Sequence, residues 1–139
     1  MQQQLNILNS VNLRFESQLA ESETLIMGAI SDSMLIKAAE LLKNQFGRSA
    51  GVLCVVVLEG HFEKVRNNHR LKSPKKNMSV IDYNELFRKT GLYDAATYRQ
   101  IQYLGVLRDL CLKNKKNAPT EDQIEDMIAG TQKMLKTIF

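Results

Sequence analysis

The sequence predicts an all-α fold, a single-domain helical bundle of five or six helices spanning residues 1–139. Three observations carry this. Only two prolines and seven glycines occur in 139 residues, which leaves room for long helices. No segment alternates apolar and polar residues strictly between turn signals, so strands are not indicated. Several segments instead place apolar residues at helical spacing between recognisable caps. The clearest is the last. Thr120 and Gln123 form a capping box, and Ile124, Met127, Ile128, Thr131, Met134, Leu135 and Ile138 follow as one continuous stripe.

The elements before it are read in order. Residues 5–30 form one long helix or two shorter ones, with Leu5, Leu8, Asn12, Phe15 and Leu19 as a stripe that Ile26 and Ile30 extend imperfectly. Asp32 or Ser33 offers a cap for a second helix carrying Leu35, Ala38, Ala39, Leu42 and Phe46, and Gly47 is a natural stop. A third helix begins near Ser49. Its segment GVLCVVVLEG is apolar on every side and would suit a buried strand equally well. It continues unbroken through His61, Phe62 and Val65, too long for a typical strand, and the chain offers no other strand to pair with it. A helix apolar all round belongs in the middle of a fold. Residues 67–78 are basic, contain Ser73-Pro74 and read as a loop. Ser79 caps a short helix ending at Gly91, and Asp94 caps a helix from Ala95 to about Leu112. The central packing is expected among the helix from Ser49, the helix from Ala95 and the C-terminal helix.

Composition narrows the function classes. Hydrophobic residues make up 44% and charged residues 24%, an ordinary globular balance. No apolar run is long enough to span a membrane. The start MQQQLNILN has neither the basic region nor the small-residue cleavage site of a secretory signal, so a cytoplasmic protein with no membrane partner is expected. Cys54 and Cys111 lie in apolar helical contexts and suit buried, reduced thiols. Two cysteines and two scattered histidines make no zinc site, and no phosphate loop or nucleophile elbow is found; no cofactor is expected. The net charge of +4 is uneven. Between Phe46 and Lys76, Arg48, Lys64, Arg66, Arg70, Lys72, Lys75 and Lys76 face only Glu59 and Glu63. That asymmetry permits a nucleic-acid partner, while on charge alone a solvated basic loop is the favoured reading.

The candidate site starts from Arg108. Ile101, Leu104, Arg108 and Cys111 share one helical face, so a guanidinium sits on an apolar stripe. An arginine cannot shed its charge, and on such a face it needs a carboxylate or a bound anion. Glu59 closes the most apolar run of the chain. The two are expected to meet as a bidentate pair, which either fixes helix register or orients Arg108 towards a phosphate.

The segment YLGVLRDLCLKNKKNAPTEDQIEDMIAGTQKMLKTIF resembles the C-terminal half of HEPN domains, the higher eukaryotes and prokaryotes nucleotide-binding family. The upstream GVLCVVVLEGHFEKV resembles that family's earlier apolar helix, which ends in a glutamate. The resemblance covers residues 48–139, and residues 5–46 supply only compatible helices. It matches Arg108 to the motif arginine, Asp109 to the polar residue after it and Glu59 to the supporting acid. It implies a homodimer with a composite, metal-independent ribonuclease site in a bacterial toxin–antitoxin or phage-defence setting, with a cognate antitoxin or larger defence complex as partner. RNA contacts are then expected from Lys113, Asn114, Lys115, Lys116 and Arg70.

One position departs from the motif. Where the family has histidine, this chain has Lys113. Taking a proton from a ribose 2′-hydroxyl suits a group titrating near neutrality, and a lysine of ordinary pKa stays protonated there. Lys113 suits phosphate holding or charge stabilisation. His61, nearly opposite Glu59 around its helix, is expected to be a partly buried histidine with a satisfied hydrogen bond. His69 is read as a surface residue or phosphate contact. Two readings stand: an RNA-binding ribonuclease with an altered site, or an inactive regulatory or assembly subunit.

Overall fold

A computed structural model describes residues 2–113 and 116–139, without the side chains of residues 2–17, 20, 23 and 24. The described residues form five helices and no strand: α1 (Gln2–Lys43), α2 (Gly47–Asn68), α3 (Val80–Lys89), α4 (Ala95–Leu112) and α5 (Glu121–Thr137). The architecture is the expected all-α bundle. The chain divides into two compact units, Met1–Ser33 and Met34–Phe139, and the bundle is the second of them. The side chains of Leu5, Leu8, Asn12 and Phe15, and the whole of Asn114 and Lys115, fall outside the described residues.

The first unit corrects one expectation. Neither Asp32 nor Ser33 starts a new helix; α1 runs through both. Both side chains are exposed, and no proline lies nearby to force a break. The helix ends later, and not at Gly47, which is the first residue of α2. Gln45 takes the left-handed conformation at φ 68°, its N–H donates to the Leu42 carbonyl at 3.0 Å, and Phe46 N–H donates to the Leu41 carbonyl at 2.8 Å. This is the Schellman pattern without its usual glycine. Arg70, at φ 54°, ends α2 in the same way through Leu71 N–H to the Arg66 carbonyl, and Gly91, at φ 77°, ends α3 through Leu92 N–H to the Phe87 carbonyl.

The helix starts follow their caps. Asp94 accepts from Thr97 N–H at 2.9 Å, and Thr120 and Gln123 exchange both bonds of their capping box. Ser79 opens α3 with Asp82 three residues on; the Asp82 carboxylate accepts from Ser79 N–H at 2.8 Å and from Lys75 Nζ at 2.9 Å.

As expected, α2 packs against α4 and α5 in the middle of the bundle. Two apolar clusters are strung along it. Its N-terminal half, with Ala50, Cys54, Val55 and Val57, meets Leu35 and Ala38 of α1, Leu107 and Cys111 of α4, and Ile124 and Met127 of α5. Its C-terminal half, with Leu58, Phe62 and Val65, meets Val80, Tyr83 and Phe87 of α3, Ile101 and Leu104 of α4, and Met134 and Ile138. Phe62 is wholly buried and lies edge-on to Phe87 at 5.6 Å. Burying such a ring contributes about 2–3 kcal/mol. Gly51 makes the closest approach possible: a Cβ there would stand 2.4 Å from Cys111 Sγ. The run is not apolar-buried all round, because Val56 stays 53% exposed.

Candidate functional site

Arg108 stands where α4 crosses α2, on the same stripe as the buried Ile101, Leu104 and Cys111. Its Nε donates to Glu59 Oε1 at 2.8 Å, so the expected meeting of the two residues is observed. The pairing is not bidentate. The guanidinium is forked between two carboxylates, with Nη1 donating to Asp109 Oδ1 at 2.9 Å. Two acceptors satisfy more of its donors than one would. Burial opposes the charge, but the hydrogen bonds to Glu59 and Asp109 outweigh it and hold the arginine above its usual pKa.

Each carboxylate has a second duty. Glu59 Oε1 also accepts from the N–H of Val80, the first residue of α3, at 3.2 Å. A negative charge at a helix N-terminus is favourable, so one oxygen ties α2, α3 and α4 together. Asp109 Oδ1 lies 3.6 Å from Lys113 Nζ. Arg108 and Lys113 therefore share one carboxylate oxygen. Asp109 and Lys113 line an open groove of about 730 Å³ together with Val106, Leu107, Leu110, Lys116 and Gln123. Val106 is 59% exposed, and the lining combines apolar side chains with two lysines.

The predicted residues divide into two places. Glu59, Arg108, Asp109 and Lys113 are joined by contacts, and Lys116 lines the same groove. Arg70 stands apart. It ends α2, whereas the end of α4 is tied to the start of α2 by Arg48, and the intervening turns of α2 span roughly 30 Å. The histidines are engaged elsewhere. His61 Nε2 is 2.6 Å from the Ile138 carbonyl and partly buried, as expected, and burial lowers its pKa. His69 Nε2 is 2.6 Å from the Phe139 carbonyl.

The sequence reading missed Arg48. Its Nη1 donates to the carbonyls of Leu110, at 3.2 Å, and Cys111, at 2.6 Å, and its Nη2 to that of Asn117 at 3.3 Å. A cation from α2 thus covers the negative end of α4, which has no basic residue in its own last turn. The signal was available: a cation in the first turn of a helix opposes that helix's own dipole, so its acceptor must lie elsewhere. Among the described residues, no cluster of histidine, cysteine or carboxylate side chains has the arrangement of a metal site, and no helix is long and apolar enough to cross a membrane. No protein family, curated protein or solved structure matches this chain.

Proposed function

We propose that this chain is a HEPN-like RNA-binding protein that holds RNA phosphate with Arg108, Lys113 and Lys116 along the α4 groove. The observation that carries this reading is the single oxygen of Asp109 shared by Arg108 and Lys113. A phosphate entering the groove offers several oxygens in place of that one, and both cations are already aimed at a common point. The apolar lining at Val106 and Leu110 suits the face of a base. In this reading the protein acts as a homodimer with the two grooves close to the two-fold axis, in a toxin–antitoxin or phage-defence setting in the cytoplasm.

Binding is favoured over catalysis. A metal-independent cleavage needs a group that takes up a proton near neutral pH. The position that would supply it is Lys113, and both histidines of the chain bond to carbonyls of the last two residues. Glu59 then acts as the positioning residue for Arg108. The test is binding of a fluorescent single-stranded RNA by the full chain, measured across a salt series with a chelator present. Expected is salt-sensitive binding without cleavage, weakened several-fold by Lys113→Ala and by Arg108→Lys. Affinity unchanged in both variants would overturn the reading. Cleavage by the wild type that is lost in Arg108→Ala would replace it with the ribonuclease reading.

A further inference from the structure

Residues 64–76, at the end of α2 and in the loop after it, carry six lysines and arginines and no acid. Two of the six are neutralised inside the bundle, Arg66 by Glu63 and Lys75 by Asp82. The same two residues pin the loop. Arg66 Nη1 donates to the Leu71 carbonyl at 2.7 Å, and Leu71 N–H donates back to the Arg66 carbonyl at 3.1 Å. Lys75 Nζ is held 2.9 Å from Asp82 in the first turn of α3, and the Lys75 carbonyl accepts from the Ser73 hydroxyl. Leu71 and Met78 pack inward on the cluster around Phe62. Arg70, Lys72 and Lys76 are left exposed, with Lys64 six residues before Arg70 on α2. Among the described residues, none of these four is in a salt bridge. A solvated run of like charges repels itself and stays loose. This one is held folded with four cations uncompensated.

We infer that this loop binds the sugar–phosphate backbone of a nucleic acid, as a contact surface separate from the α4 groove. Its exposed side chains are of the kinds that contact phosphate and sugar: Arg70, Lys72 and Lys76, with the amides of Asn68 and Asn77 beside them. Other partners fit the surface less well. A protein interface has an apolar centre, and a membrane-surface segment interleaves its cations with apolar side chains. Here Leu71 and Met78 are turned into the bundle instead. One ring stands nearby: His69 Nε2 lies 2.6 Å from the Phe139 carbonyl, and Phe139 is 69% exposed. A single exposed ring beside cations suits stacking on a base of any sequence. The surface uses no residue of the α4 groove, so the inference stands without the proposed function.

The experiment follows binding of a fluorescent single-stranded RNA of mixed sequence by the full chain across a salt series. Lys72→Gln/Lys76→Gln removes two exposed loop cations, and Lys37→Gln/Lys89→Gln removes two exposed cations elsewhere. The loop variant is expected to melt like the wild type and to bind several-fold more weakly, equally so for a scrambled sequence. Its salt slope should be shallower by about 1.4, from two phosphate contacts at about 0.7 each. The control variant should bind like the wild type. Equal losses in the two variants would overturn the inference, because net charge alone would then explain them. So would undiminished binding by the loop variant; if Lys113→Ala weakened binding in that case, the groove reading would stand alone. A loss in the loop variant with none in Lys113→Ala would uphold the inference and remove the groove. Vesicles containing phosphatidylserine that capture the wild type and not the loop variant, with RNA affinity equal in both, would assign the loop to a membrane and overturn it. Absence of RNA binding at low salt would overturn both readings.

Discussion

Arg108 Nε donates to Glu59 Oε1 at 2.8 Å across the contact between α4 and α2, with both side chains mostly shielded from water. Because the same oxygen also caps α3 through Val80 N–H, its loss removes two interactions and leaves a half-buried cation with one partner. Glu59→Ala is expected to cost about 2–3 kcal/mol of folding free energy. Glu59→Gln keeps an acceptor and should cost less. Urea unfolding followed by circular dichroism measures both. An Ala variant as stable as the wild type would show that Asp109 alone suffices for Arg108.

Asp109 competes with any anion for Arg108 and Lys113. Asp109→Asn is therefore expected to tighten binding of single-stranded RNA several-fold at low salt, and the gain should shrink as salt is raised. Fluorescence anisotropy reads this directly. Weaker binding would mean that Asp109 holds the cations in place more than it blocks them.

Gly51→Ala tests the closest helix approach. The added Cβ would lie 2.4 Å from Cys111 Sγ and 3.1 Å from Ile124 Cδ1. Overpacking of this kind costs about 1–3 kcal/mol. Shortening the opposing side chain in Gly51→Ala/Cys111→Ala should recover part of the loss, and a double-mutant cycle of unfolding energies will show whether the two positions couple.

The thiols should be silent in the folded protein. Burial pushes Cys54 up to about 12, with Cys111 close enough to add to the effect, and burial raises Cys111 as well. Neither should react with a thiol reagent at mildly alkaline pH until urea unfolds the chain, when both should. Fast native labelling of either would contradict the packing of α2 against α4.

His61 gives a pH dependence with a definite sign. Burial lowers its pKa below the ordinary 6.5, while its hydrogen bond to the Ile138 carbonyl works the other way. The unfolded chain therefore binds the proton more readily than the folded one. The contribution of His61 to stability is complete above the unfolded value and is lost as pH falls through the lowered folded one. Urea midpoints should decline from about pH 7 downwards, and less steeply in His61→Gln.

Much of the bundle could be read from side-chain order because its signals are local. Asp94, Thr120 and Ser79 announce helix starts through bonds made within three residues. The stripe from Ile124 to Ile138 names its own buried face. The pairing of Arg108 with Glu59 could be anticipated because a charge on an apolar stripe demands an opposite charge, and the chain offered one in the most apolar helix. What escaped was tertiary. Gln45 ends α1 in a conformation usually left to glycine, so Gly47 drew the boundary two residues late. Asp32 and Ser33 prefer caps only when a break exists to be capped, and α1 has none there. The forking of Arg108 between Glu59 and Asp109 depends on a crossing geometry that no spacing encodes.

Arg48 donates to three main-chain carbonyls at and beyond the end of α4, those of Leu110, Cys111 and Asn117. Every residue type presents the same carbonyl, so these three bonds do not depend on the side chains of Leu110, Cys111 and Asn117. Replacing Lys113 removes none of these three acceptors.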